Sequence, residues 1–169
     1  MVNYMLMITA DLENLTDLQP QGGCDGPNFT YYFKLKCGNC GEVTQKETCV
    51  SLNETVPSAK GKSDTNLAQK CKFCSRDGTV SMITGRGRPL TQEQAETGKY
   101  APLMLFDCRG YEPVDFVFGS GWKAESFELM SHPGENASQS FVIEGTKFND
   151  IDLSAGEFAN MMRRENAPS

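Results

Sequence analysis

Two close pairs of cysteines, Cys37-Gly38-Asn39-Cys40 and Cys71-Lys72-Phe73-Cys74, constrain this chain more than any other feature. Two residues between cysteines let one tight turn aim both sulfurs at a common point. Two such turns complete a tetrahedral four-thiolate shell. The spacing therefore predicts one Zn2+ per chain, held by Cys37, Cys40, Cys71 and Cys74. Gly38 and Gly41 punctuate the first turn, where glycine accepts a positive φ at no steric cost. The second turn carries Ser75 in place of the trailing glycine, which makes its geometry harder to foresee. A lone pair would also suit a redox dithiol, but a thioredoxin-like pair opens a helix after a parallel strand. Here Cys40 runs into Gly41-Glu42-Val43-Thr44, a hairpin-like stretch, and the matched second pair favours zinc.

Four cysteines close the coordination shell, whereas a catalytic zinc usually keeps one position for water. The single histidine, His132, sits in the polar loop Ser131-His132-Pro133-Gly134, so no Ser/His/Asp or Cys/His triad is expected. Gly85-Arg86-Gly87-Arg88 lacks the Gly-Lys-[Ser/Thr] ending of a phosphate-binding loop. Acidic pairs such as Asp150 with Asp152 and Glu112 with Asp115 are ordinary at this charge. The chain is read as a non-enzyme.

Composition narrows the setting. With 169 residues, 38% of them hydrophobic, the chain can build one domain, or two small halves sharing a core. No run approaches the ~18 apolar residues of a membrane span. Met1 to Ala10 has no basic leader and reads as a strand rather than a signal peptide. Seven cysteines without a secretory signal fit a reducing compartment, so the expectation is a cytoplasmic protein, with the nucleus also open. Four cysteines then serve zinc, and Cys24, Cys49 and Cys108 are free. Cys108 ends an apolar strand and reads as core, Cys24 as exposed in a glycine-rich turn, and Cys49 as either.

The net charge is −6, yet residues 60–88 carry seven cations against two anions around the second cysteine pair. That surplus could meet an anionic partner. The acidic remainder and a pI near 4.8 repel nucleic acid at long range, so a nucleic-acid partner is not expected. A protein partner and a monomeric state are.

The residue pattern is mainly β. Tyr4, Leu6, Ile8, Ala10 and Leu12 recur at a period of two, while Met5 and Met7 make the opposite face apolar at its start. Further strands are expected at 29–36, at 43–52 as the return of a zinc hairpin, and at 79–84, 103–107, 114–118 and 141–144. Residues 90–99 read as a short helix or loop. Ser154-Ala155-Gly156-Glu157 reads as a capping box for a helix over 155–164. The domain reading is an N-terminal β half over 1–90 with the zinc site, and a C-terminal β half over 91–169 with a surface insertion at 119–140. A faint echo supports the division: Ala10 to Pro20 and Met104 to Pro113 each run from a strand through an acidic turn to a proline.

Several phrases together resemble one family. They are Lys36-Cys37-Gly38-Asn39-Cys40-Gly41-Glu42, Gln69-Lys70-Cys71-Lys72-Phe73-Cys74, Phe106-Asp107-Cys108-Arg109-Gly110-Tyr111-Glu112-Pro113-Val114-Asp115-Phe116, and Gly145-Thr146-Lys147-Phe148-Asn149-Asp150-Ile151-Asp152-Leu153. In this order they are similar to the eukaryotic CXXC-motif-containing zinc-binding proteins, from Leu6 to about Phe158. The resemblance implies an elongated, sandwich-like all-β protein of two related halves, soluble and intracellular, with no established catalysis. The segments 20–28 and 119–140 look longer than the family pattern. Phe158-Ala159-Asn160-Met161 stands where the family has an acidic aromatic ending. The combined expectation is a structural zinc in a binding or adaptor protein. Metal handling or thiol redox through the CxxC pairs, and a zinc-ribbon-like nucleic-acid binder, stand as alternatives.

Overall fold

The computed structural model describes residues 2–57, 64–126 and 140–151. Its strands are β1 (Val2–Glu13), β2 (Leu15–Pro20), β3 (Tyr31–Cys37), β4 (Thr48–Val50), β5 (Val56–Pro57), β6 (Asp64–Thr65), β7 (Leu67–Lys70) and β8 (Asp77–Ile83), then β9 (Ala101–Arg109), β10 (Tyr111–Val117), β11 (Trp122–Ser126) and β12 (Ser140–Ile151). One five-residue helix, α1 (Gln92–Glu96), lies between β8 and β9. The protein is thus mainly β, as its residue pattern dictates.

The main sheet has the order β12-β1-β9-β8-β7, and all its pairings are antiparallel. A three-stranded sheet, β10-β3-β4, and a pair, β11-β2, complete the larger framework, and β5 pairs with β6. The strands interlock across residue 90. On the N-terminal side β1 and β2 take β12 and β11 as partners, and on the C-terminal side β9 and β10 take β8 and β3. The strands β4 to β7 lie between β3 and β8, in the stretch that carries both cysteine pairs.

Two corners drive this exchange. Asn14, at φ 57, separates β1 from β2, and Gly110, at φ 82, separates β9 from β10. A single residue in the left-handed region swings the chain out of the main sheet into a second one. Asp17 and Asp115 also have positive φ, at 56 and 53, and each falls where the pairing register slips. Asp17 and Asp115 therefore mark β-bulges, which bend a strand and sharpen its twist.

The core follows the alternation. Tyr4, Leu6, Ile8, Ala10 and Leu12 all join the large core, while Met5 and Met7 pack with Leu105 on the opposite face of the sheet. Aromatic rings bind the layers edge to face. Phe33 meets Phe106 with centroids 5.2 Å apart, and Tyr31 meets Phe106 at 5.6 Å. Phe148 of β12 lies 5.9 Å from Phe33.

Several expectations change. The return run at 43–52 is not one strand: Val43 makes an isolated bridge to Lys36, and only Thr48–Val50 pairs with β3. Between them the Thr44 hydroxyl accepts the Leu35 N–H at 3.1 Å, a side-chain bond that takes the place of a ladder rung. β12 runs far past the expected 141–144, because it pairs along β1 from Asn3 to Glu13 although much of it is polar. Within the presumed insertion, Trp122–Ser126 is a strand on β2, while 127–139 lies outside the described residues. The 90–99 stretch holds a capping box at Thr91, which accepts from the Gln94 N–H as the Gln94 side chain accepts from the Thr91 N–H. The helix expected over 155–164 lies outside the described residues, as does His132. Among the described residues no helix is long and apolar enough to cross a membrane.

Candidate metal centre

The first knuckle grows directly from β3. Cys37 is the last residue of that strand and pairs with Tyr111, the first residue of β10. The second knuckle is the tip of the β7–β8 hairpin, closed by the Lys70–Asp77 pair. β8 also lies along β9, with Thr79 opposite Arg109. Both knuckles therefore flank one point, the Gly110 corner, where the Gly110 carbonyl accepts the Gly38 N–H at 2.9 Å. A corner that hands the chain from one sheet to another is what brings cysteines 31 to 37 residues apart together.

The two turns have the same hydrogen bonding. In the first, the Cys37 N–H donates to the Glu42 carbonyl and the Gly41 N–H to the Cys37 carbonyl, both at 2.9 Å. In the second, the Cys71 N–H donates to Arg76 and the Ser75 N–H to Cys71, again at 2.9 Å. Gly41 sits at φ 79 and Ser75 at φ 65. The serine adopts the left-handed conformation despite its Cβ, so the missing glycine does not alter the turn.

All four sulfurs lie within 4.8 Å of one another. The closest contacts run between the knuckles: Cys37 Sγ to Cys74 Sγ and Cys40 Sγ to Cys71 Sγ, each 3.6 Å. That is far beyond the ~2.05 Å of a disulfide. A tetrahedron with Zn–S bonds of ~2.3 Å has edges of about 3.8 Å, so the donor set fits a single zinc in chemistry and in size.

Local dipoles favour the thiolate at Cys37 and Cys74, whereas at Cys40 the Glu42 backbone N–H is outweighed by burial and by the neighbouring cysteine thiols, which push it up to about 12. Cys37 is held below its ordinary value by backbone N–H groups, that of Cys40 first and that of Asn39 next; the Asn39 N lies 3.4 Å from its sulfur. Cys74 is lowered to about 6 by the Asn39 side chain and then the Arg76 backbone. Tyr111, against the same cluster, is pushed up to about 12 by burial, reinforced by Cys71, Cys37 and Cys74. Its hydroxyl is buried without a hydrogen-bond partner among the described residues.

The other cysteines stand apart. Cys108 is 2% exposed, and burial pushes its thiol well up, as suits a core residue. Cys49 is exposed on β4. Cys24, expected at the surface, is partly buried against the core, and burial next to Asp25 raises it to about 11. The basic stretch is also divided. Lys70, Lys72 and Arg76 surround the second knuckle, but Arg86 and Arg88 follow the far end of β8, about 20 Å away at ~3.3 Å per residue. There Gly85 N–H donates to the Asp25 carboxylate at 3.1 Å. Phe73, for which periodicity and spacing give no signal, is 67% exposed between the second pair of cysteines.

Comparison with known proteins agrees with this geometry. Residues 5–133 match the family described as CXXC motif containing zinc binding protein, eukaryotic. A CXXC motif containing zinc binding protein of Xenopus laevis is 37% identical over 153 residues, which are 90% of this chain and 82% of that protein. Its Homo sapiens counterpart is 35% identical over 148 residues, covering 88% and 79%. The crystal structure of C1orf123 superposes with a TM-score of 0.69 at 29% identity, over 88% of this chain and 98% of that one. A hypothetical protein from Plasmodium falciparum shares the fold at a TM-score of 0.67 and 14% identity, over 89% of this chain and all of that one.

Proposed function

The chain belongs to the eukaryotic CXXC motif containing zinc binding protein family, and from that premise we propose that it is a non-catalytic binding or adaptor protein organised around one structural zinc. The observation that carries the reading is the approach of four sulfurs to within 4.8 Å at the corner between two sheets. Cys37, Cys40, Cys71 and Cys74 are the ligands. When bound, the metal neutralises thiolate charge and ties the β7–β8 hairpin to the end of β3. Zinc supplies about 10–16 kcal/mol of apparent binding energy in small modules, enough to set the shape of this end of the molecule. The work belongs in a reducing compartment such as the cytoplasm, where the thiols stay available to metal.

Phe73 supports the binding role. A large aromatic presented at the tip of a braced turn, with Lys70, Lys72 and Arg76 around it, has the composition of an interface anchor. A protein partner is favoured over nucleic acid, given the net charge of −6.

Native mass spectrometry of protein purified without added metal tests the zinc assignment. One zinc per chain is expected, and Cys71→Ser should lower the zinc content and the melting temperature together. Unchanged stoichiometry and melting in that variant would sink it.

A further inference from the structure

The four ligands are unequally built in. Cys37 is 2% exposed and Cys71 6%, and both are members of the hydrophobic core. Cys74 is half-buried and packs against that core from outside. Cys40 is exposed and takes no part in it. The backbone around it, from Gly38 to Glu42, is exposed throughout.

Resting on the zinc assignment above, we propose that metal enters and leaves this centre at Cys40, by associative exchange with a thiolate of an incoming acceptor. A closed four-thiolate shell exchanges zinc when a fifth ligand approaches and one of the four departs. Approach from the Cys37 or Cys71 side would require opening the core. Approach along the Gly38–Glu42 turn requires only a surface turn to move. In the first step an acceptor thiol would give its proton to solvent and form a Zn–S bond, while the Cys40–Zn bond breaks and Cys40 takes up a proton. Cys74, Cys71 and Cys37 would then be replaced in the same way by further acceptor thiols, each bond formed matched by one broken and each freed cysteine taking up a proton. Zinc keeps its charge and nothing is oxidised. The backbone at Cys37 and Cys71 stays in place, held by β3 and by the β7–β8 hairpin, so the protein can pass its metal to thiol ligands without unfolding. The centre is then both a brace and an exchangeable store.

The test uses the full-length, zinc-loaded protein. Its cysteines are pulse-labelled with iodoacetamide and read by peptide mass spectrometry, with exposed Cys49 as the fast reference and buried Cys108 as the slow one. Cys40 should be modified first among the ligands, roughly tenfold faster than Cys37 or Cys71. Zinc transfer to dimercaptosuccinate should accelerate with dithiol concentration. It should run about tenfold faster in Cys40→Ser, where the departing ligand is already weak. Simultaneous labelling of all four ligands, or a transfer rate independent of dithiol, would mean release through unfolding and would overturn the proposal. Labelling that begins at Cys37 or Cys71 would do the same. Cys40→Ser can fail to hold metal at all, in which case labelling order in the unaltered chain decides. Wild-type protein without bound zinc would instead overturn the zinc assignment itself, and with it this route.

Discussion

Gly41 and Ser75 occupy equivalent places in two turns of identical hydrogen bonding, yet only one is glycine. An L-residue in the left-handed region costs about 1–2 kcal/mol. Glycine's extra freedom in the unfolded chain costs about 0.5–1 kcal/mol in return. Relief outweighs entropy, so Ser75→Gly should stabilise the protein by about 0.5 kcal/mol in urea denaturation, measured with zinc bound. A destabilised variant would show that the serine contributes something beyond its backbone angle. Gly78 faces the opposite demand, for space rather than angle. A Cβ there would run into the Tyr111 ring and come 2.8 Å from the Arg109 carbonyl oxygen. Gly78→Ala should therefore cost about 1–3 kcal/mol by overpacking beneath the metal centre. The same denaturation experiment checks it.

Among the elements, α1 is the least self-sufficient. Five residues cannot sustain a helix alone, and none of them is buried. Its position depends on its start: the Thr91 box, the Gln92 N–H donating to Thr16 Oγ1 at 3.1 Å, and the Leu90–Leu18 pairing just before it. Thr91→Ala should cost about 1 kcal/mol, read as a lower urea midpoint. Faster amide exchange confined to residues 92–98 should accompany it. The Thr-x-x-Gln pattern was legible in the chain but did not stand out among polar neighbours. The short β4 shows a different limit, since Thr44 diverts the Leu35 N–H before the return strand can form. A side-chain hydroxyl competing with a ladder leaves no trace in hydrophobic periodicity.

For the whole molecule, the exchange of strands between the two sides of residue 90 has a direct consequence. A fragment of residues 1–90 would keep β1, β2, β3 and β8 but lose β12, β11, β10 and β9, their partners. Such a fragment should show no cooperative thermal transition even with zinc, whereas the intact chain should unfold in one step. Circular dichroism against temperature distinguishes the two. Phe106 sits where the layers meet, fully buried against Tyr31 and Phe33. Its replacement by alanine should cost about 3–5 kcal/mol, among the largest effects of any single substitution. Acid should release the metal, since protons compete with zinc for the four sulfurs; zinc occupancy followed by a chromogenic chelator should fall as pH falls.

The sequence by itself pointed to the cluster of four cysteines, the mainly β class, the two faces of β1 and the core role of Cys108, because each depends on spacing or period within one short stretch. It also hinted at the repeated strand-corner-strand course, through the echo of Ala10 to Pro20 in Met104 to Pro113, which brackets the corners at Asn14 and Gly110. Only the tertiary structure decided how cysteine pairs about thirty residues apart meet, how far β12 extends, and which ligand faces water. Those depend on Gly110 passing the chain between sheets and on pairing with strands distant in sequence, and no local pattern encodes a distant partner.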